Sequence, residues 1–529
     1  MNIVWFKKDL RVTDHGPLFK ASQLGKTVGL YIIEPDWIKS PEYSNHHLQF
    51  LVDSLVQLEK DLIAYNIPLI ILKGDTLDVL KSLKEKLNFK NLLSHRETGL
   101  WWTYQRDLKV KSWCKDNSIQ WSEWDQFAIL RGLKNRDLWN AKRIQIINRK
   151  PYSEPRPLKL KPQSQIDVGT SLAELKSQNQ DFKNEILKTF NDQNLKPESL
   201  VDRRNTYLQV GGRKPAEQLL KSFLSERVLN YQKGMSSPRT AMEDCSRLSP
   251  HIAWGTMSLT EITYRIAKEK SKLDPFDPEV KKWFRNVKSF ESRLWWHCHF
   301  IQKLESEPEI EFKNMNSGFD GMRENDFNPA FFEAWSKGET GFPIIDACMR
   351  CLIQTGWINF RMRALLISFS SYQLWLHWKK PAEHLARLFT DFEPGIHYSQ
   401  IQMQSGVTGI NTIRMYSAIK QSLDQDPTGE FIKRYCPELE GLDESSIHQP
   451  QLTPPMLQTM SGVIIGRDYP KPIVDHKIAY SLAKEKVYGW RSSSAVKTEA
   501  KQVYQKHGSR KNSFFPTQHR KPFGNFNTK

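Results

Sequence analysis

Two stretches of this chain carry side chains whose type and spacing suit chemistry on a bound anion. The first is Cys245-Ser246-Arg247-Leu248-Ser249-Pro250, followed by Trp254-Gly255. Ser246 and Ser249 stand where a loop opens a helix, and their hydroxyls beside unpaired backbone N–H groups suit a diphosphate. A capping serine without a ligand explains an isolated Ser-Arg-Leu-Ser as well, and is the commoner outcome. The second is the run 341–363, GFPIIDACMRCLIQTGWINFRMR, which combines a helix, a tight turn and a second, basic helix start ending in Arg363. Acidic groups recur downstream in Leu388-Phe389-Thr390-Asp391-Phe392-Glu393.

Two sets of elements must position these groups. Over residues 1–130, short β-branched runs alternate with helical patterns. Strands are predicted at Ile3–Phe6, Val28–Ile33, Leu69–Leu72, Leu92–His95 and Ile119–Trp121, with helices at His47–Tyr65, Thr76–Leu87 and Trp102–Asp116. That alternation predicts a parallel five-stranded sheet wrapped by helices on both faces, with ligands at the carboxyl ends of its strands. The Gly74-Asp75 and Glu97-Thr98-Gly99 turns follow strands there, as a crevice lining or as plain connections; no GxGxxG or GxxxxGK[ST] follows the first strand. Residues 131–205 read as a linker, with four Pro between Lys150 and Gln163. Residues 206–490 lose the strand pattern and read as all-α, with helices at Pro215–Phe223, Leu259–Glu269, Glu279–Leu304, Pro329–Trp335, Pro343–Gln354, Asn359–His377 and Ala382–Leu388. Residues 491–529 read as a basic, mobile tail.

Composition narrows the class. The 529 residues exceed one core, so two domains are expected. A net charge of +18 points to a polyanion, of which nucleic acid is the commonest, although much of the excess sits in linker and tail. Six Cys in this length do not make a disulfide framework, the N-terminus lacks a signal-peptide apolar stretch, and no window is apolar enough to span a bilayer. A reduced, cytoplasmic, monomeric protein is the expectation.

Four stretches, in order along residues 1–476, resemble the photolyase/cryptochrome superfamily. Trp5-Phe6-Lys7-Lys8-Asp9-Leu10-Arg11 with Asp14-His15 resembles its opening W-F-R-R/K-D-L-R-x-x-D-N. The Ser-Arg-Leu-Ser-Pro loop, the 341–363 run and Tyr469-Pro-Lys-Pro-Ile-Val-Asp475-His476 are the other three. The resemblance implies an α/β antenna-type domain, a helical FAD-binding domain, FAD as cofactor and damaged DNA as partner. It allows a second, light-harvesting chromophore of folate or deazaflavin type, which the sequence does not name. Carried over by position, Tyr231, Cys245, Ser246, Arg247, Leu248 and Ser249 lie on the phosphate side of FAD, with Cys245 in place of a Thr and Tyr231 at a spacing two residues longer. Arg363 faces the flavin ring and pairs with Asp391; Phe392 follows, and Glu393 replaces a second Asp while keeping its charge.

The chain also departs from the family. If Trp296 matches the lesion-stacking Trp, Arg293 replaces a lesion-binding Glu, leaving Glu291 out of register. His397 replaces the Asn that faces flavin N5, where it either titrates near neutral pH or bonds to backbone as a core histidine. Phe360 and Met403 stand where a lesion-contacting Asn and a second stacking Trp are usual. Of the three electron-relay Trp, only Trp378 is kept; the others fall on Ile401 and near Asn325, leaving Trp375, Trp357, Tyr398 and Tyr372 as substitutes. Cys348, Cys351, Cys298 and Cys436 could be imagined as iron–sulfur ligands, but read better as core thiols. The resemblance thus implies a divergent branch: a lyase repairing pyrimidine dimers with light, with Trp296, Arg293, His397 and Trp378 as catalytic candidates and no metal, or a photoreceptor without repair.

Overall fold

The computed structural model describes residues 1–157 and 208–509. Five strands, β1 (Asn2–Phe6), β2 (Thr27–Ile33), β3 (Leu69–Lys73), β4 (Asn91–Arg96) and β5 (Gln120–Asp125), form one parallel sheet in the order β3-β2-β1-β4-β5. Period-two alternation decides what each face does. Val4, Phe6, Tyr31, Leu69 and Leu93 point into one core with the Gly16–Leu24 and Asn45–Ile63 helices. Ile3, Trp5, Leu30, Ile70 and Leu92 point into the other with the Thr76–Leu87 and Trp101–Asp116 helices. The chain order reverses between β1 and β4, which opens a crevice beyond their carboxyl ends.

The rest of the described chain is helical around two further cores. One gathers the Arg213–Ser225, Leu259–Lys270 and Pro278–Ser306 helices; the other gathers the Pro343–Thr355, Phe360–Ser368 and Pro394–Ser405 helices. Several expectations need correction. The segment read as linker contains the Trp139–Ile147 helix, whose buried Trp139 meets Trp295 edge-on at 5.5 Å. The segment read as tail contains the Ser494–His507 helix, docked by His507 on Glu307 and by the Val496 carbonyl on Asn316. The remainder of both segments lies outside the described residues. The helix expected over Asn359–His377 stops at Ser368, passes through a π turn at Phe369–Gln373 and leaves helix geometry, with Trp375 left-handed at φ 53°. Helices at Gly16–Leu24, Pro394–Ser405 and His476–Ser492 were not anticipated. No described helix is long and apolar enough to cross a membrane.

Most motif residues turn out to be joints. Buried Arg11 donates to the carbonyls of Gly255 (2.9 Å) and Asp14 (3.1 Å), while the Ser258 hydroxyl donates to Asp14 (2.6 Å). Gly255 has φ 67°, and a Cβ there would run into the Lys8 carbonyl, so only glycine lets the opening motif close on the Ser-Arg-Leu-Ser loop. The third and fourth motifs meet at buried Asp346. It accepts from Thr340 N (2.8 Å), Thr340 Oγ1 (2.6 Å), Gly341 N (3.0 Å) and the Tyr469 hydroxyl. Tyr469→Phe should therefore destabilise the protein by about 1.5–3 kcal/mol, the usual range for a hydrogen bond to a charged group. A denaturant midpoint equal to wild type would show that Tyr469 is not one of the joints.

Candidate functional site: an arginine–carboxylate pair and its loop

The turn at Gly356 and the loop at 389–393 bring Arg363 and Asp391 together. Gly356 has φ 66°, and a Cβ there would strike Thr390 Oγ1, so the turn and the acidic loop pack without a side chain between them. Arg363 donates from Nη1 and Nη2 to the two Asp391 oxygens, both at 2.9 Å, and from Nε to the Ile358 carbonyl at 2.7 Å. Its guanidinium lies 4.1 Å from the Phe389 ring centre. Burial alone would raise the Asp391 carboxyl; the Arg363 charge, its hydrogen bonds and one from Ser249 outweigh this and hold it below its ordinary value. Ser249 Oγ also accepts from Trp357 Nε1 at 3.1 Å. Loop, turn and acidic segment, far apart in sequence, thus share one hydrogen-bonded cluster.

The 245–249 loop differs from the expected helix-start site. Its helix spans only Ser249–Ala253, too short to bring a useful dipole, and Arg247 sits left-handed at φ 60°. What the loop presents instead is side chains and a bent backbone. Arg247 lies 4.0 Å over Trp357 and donates to Gln209 Oε1 (3.2 Å from Nη2), and burial lowers its pKa to about 10. The Leu248 side chain is buried in the neighbouring core, which leaves it no direct polar role. Cys245 is a half-buried thiol that desolvation pushes up to about 12. Tyr231, edge-on to Phe223 and Phe290, is raised chiefly by burial and shares its hydroxyl hydrogen bond with Arg293.

The remaining expected residues separate. Glu393 does not keep a firm charge: burial raises it to about 7 against the pull of Lys8, and it lines the crevice between the domains. His397 is no neutral-pH switch. Its Nε2 bonds to the Ala382 carbonyl at 2.9 Å and burial lowers it to about 4, as for a core histidine. Phe392 packs on His397 (5.2 Å) and carries Lys8 above its ring. Trp378 is buried and donates to Asn314 Oδ1 at 2.7 Å. Trp296 is half-buried and stacks on Phe300 at 5.5 Å, while Arg293 is exposed. Phe360 is 53% exposed at the head of its helix. Cys298 lies in a different core from Cys348, Cys351 and Cys436, so the four do not form one ligand set.

A second cluster joins Asp9 and His15 of the opening motif to His95 of β4. Asp9 Oδ2 accepts from His15 Nε2 (2.9 Å) and His95 Nδ1 (2.7 Å), with all three groups buried. The Leu18 amide donates to His15 Nδ1, so Nε2 carries the ring proton. A cation would need the lone pair which that proton occupies, so the chemistry favours a hydrogen-bonded anchor for β1 over a metal centre. Above it the crevice is lined by Trp5, Lys8, Glu34, Glu97 and Arg106. The Glu97-Gly99 turn lines it; Asp75 instead caps the Thr76–Leu87 helix.

The residues at the pair fit FAD. Asn359 Oδ1 and Thr390 Oγ1, next in sequence to Ile358 and Asp391, are buried without a hydrogen-bond partner among the described residues, and Arg363, Asp391 and Ser249 add matched donors and acceptors. Comparison with known proteins agrees. A family model described as DNA photolyase matches residues 2–131, and one described as the FAD binding domain of DNA photolyase matches residues 290–489. The chain belongs to the photolyase/cryptochrome superfamily. It is 26% identical over 503 residues to a deoxyribodipyrimidine photo-lyase of Vibrio cholerae, covering 90% of this chain and 97% of that one. It is 26% identical over 510 residues to a cryptochrome DASH of Gloeobacter violaceus, covering 92% and 95%. A class III photolyase structure from Agrobacterium tumefaciens superposes with a TM-score of 0.74 at 24% identity, covering 93% and 98%. An archaeal photolyase from Sulfolobus tokodaii, described with two FAD molecules, gives 0.70 at 22%, covering 92% and 100%.

Glu393 supplies a pH test. Its folded pKa, about 7, lies above its ordinary 4.5, so its contribution is fully present below pH 4.5 and is lost as pH rises through 7. Glu393→Gln in the flavin-free protein should exceed wild type in stability above pH 7, by at most about 3 kcal/mol, and lose part of the slope between pH 5 and 7. Glu311, raised by burial to about 7 as well, supplies slope that remains. Superimposable urea-unfolding profiles of the two proteins across that range would contradict the placement of Glu393.

Proposed function

We propose that this chain is a light-driven DNA-repair lyase of the deoxyribodipyrimidine photo-lyase type, acting as a monomer on damaged DNA in the cytoplasm. The observation that carries the reading is the bidentate Arg363–Asp391 pair, tied through Ser249 to the loop on the phosphate side. Relatives bearing that enzyme name, similar over nine-tenths of the chain, support it. Six free cysteines agree with a reducing compartment. The chemistry FAD would supply here is a light-driven loan of one electron to a pyrimidine dimer, whose linking bonds break before the electron returns.

The protein's own residues hold and exclude. Arg363 and Asp391 bind and orient the ring, with Asp391 kept ionised by its partner. Ser246, Ser249, Arg247 and Tyr231 hold the phosphate side. Trp296, stacked on Phe300, and exposed Phe360 offer apolar faces to flipped bases, and the net positive charge attracts the strand. Arg293 can donate to thymine carbonyls and to phosphates but cannot act as a carboxylic acid. A chromophore of folate or deazaflavin type in the crevice beyond β1 and β4, lined by Trp5, Trp37, Glu34 and Arg106, would complete the light path.

The second reading, a cryptochrome-type photoreceptor without repair, draws on Arg293, which is exposed and bonded to Tyr231 where the family has its lesion-binding Glu. Blue light should remove cyclobutane dimers from UV-irradiated oligothymidine in the presence of the FAD-loaded protein, with no loss in the dark. Arg293→Ala should lower kcat/KM by about tenfold or more, equal to about 1.4 kcal/mol, with FAD occupancy retained. Intact flavin photoreduction without turnover of cyclobutane or (6-4) lesions would overturn repair in favour of the photoreceptor.

A further inference from the structure

The electron-relay position nearest the flavin is Ile401 in this chain, so a different group must feed the flavin if light is to reduce it. The candidate rings are not equivalent. Trp375 lies under two cations, Arg323 at 4.5 Å and Lys486 at 4.8 Å. Trp357 lies under Arg247 at 4.0 Å, and Tyr372 has Arg323 5.4 Å from its centre. A ring that loses an electron and keeps its protons becomes a cation, and a neighbouring positive charge in a buried setting opposes that directly. The Tyr372 hydroxyl also has no acceptor for its proton among the described residues.

Tyr398 is different. It is fully buried, one residue beyond His397, and its ring meets those of His397 (5.3 Å), Phe392 (6.4 Å) and Trp378 (6.3 Å). Its hydroxyl donates to a carboxylate, Glu42 Oε1, at 2.5 Å. Glu42 comes from the α/β domain, 356 residues away, and is itself buried. Lys379 Nζ lies 4.8 Å from the Tyr398 ring, which would oppose a cation there but not a neutral radical. A phenol that gives up its electron and proton together stays neutral, and this phenol has the required base already in hydrogen-bond contact.

We propose that Tyr398 is a proton-coupled electron donor to photoexcited oxidised flavin, with Glu42 as the proton acceptor. One electron leaves the Tyr398 ring and reduces the flavin by one. The phenolic proton moves along the existing hydrogen bond to Glu42, leaving a neutral tyrosyl radical beside a protonated carboxyl group. Trp378, edge-on to Tyr398 and bonded to neutral Asn314, is the next ring outward. The inference rests on the reading above, in which flavin sits against Arg363 and Asp391.

The test is flash photolysis of the full chain loaded with oxidised FAD, with electron paramagnetic resonance on samples grown with ring-deuterated tyrosine. Wild type should give a tyrosyl signal that narrows on deuteration. Tyr398→Phe and Glu42→Gln should each lower its yield by at least about tenfold, while Tyr372→Phe leaves it unchanged. Glu42→Gln keeps the tyrosine ring, so it decides the matter if Tyr398→Phe does not fold. A tyrosyl signal undiminished in either variant, or absent from FAD-loaded wild type under light, overturns the proposal. Failure of wild type to bind FAD at all would instead overturn the reading on which it rests, and FAD occupancy of each sample separates the two.

Discussion

The Arg363–Asp391 pair is the interaction on which the candidate site depends. A carboxylate with almost no exposed surface is expensive to keep ionised, and only a guanidinium in two-point contact offsets that cost. The guanidinium is in turn fixed on three sides, by Asp391, by the Ile358 carbonyl and by the Phe389 ring. Phe389 and Asp391 belong to the acidic loop and Ile358 follows the Gly356 turn, while Ser249 reaches Asp391 from a third segment, so the pair forms only when these three have packed. The same arrangement leaves Asn359 Oδ1 and Thr390 Oγ1 without partners among the described residues, which is what a large polar cofactor would supply.

Around this pair the molecule is built to hold two domains in register. The opening Trp-Phe-Lys-Lys-Asp-Leu-Arg segment reads like a binding motif, yet Arg11 and Asp14 spend their hydrogen bonds on the Gly255–Ser258 corner of the helical domain. Asp346 and Tyr469 similarly lock the 341–363 run to the late Tyr-Pro-Lys-Pro turn. Lys8 reaches the Phe392 carbonyl at 3.4 Å, and Glu42 reaches Tyr398, so the sheet's carboxyl edge and the acidic loop share contacts. Chemistry is concentrated in few side chains, and the recognisable motifs are largely the frame that sets their distances.

The sheet was legible because period-two apolar runs bounded by turn residues have few other interpretations; all five strands appear within a few residues of their expected bounds. The Arg363 and Asp391 partnership was legible only by resemblance, since nothing in the spacing of 28 residues identifies it. What escaped notice was what depends on tertiary context. The Pro394–Ser405 helix carries polar residues on buried faces, and its amphipathic signal is correspondingly weak. Trp139 looked like linker because proline-rich sequence follows it, whereas its indole is fully enclosed. The charge of Glu393 was misjudged, and the choice between the two readings of His397 was left open, for one reason: burial moves both toward their neutral forms, and burial is not a property of a residue's neighbours in sequence. The Glu42–Tyr398 contact, which spans the two domains, has no sequence signature at all.

Flavin affinity of Arg363→Ala, measured by fluorescence titration of the apo-protein with FAD, tests the central role of the pair most directly. Loss of one charge-assisted contact to the ring, with Asp391 left unpaired, should weaken binding by about 10–100-fold, equal to about 1.5–3 kcal/mol. Binding as tight as wild type in a variant that keeps its helical circular dichroism would contradict the placement of the flavin against Arg363 and Asp391.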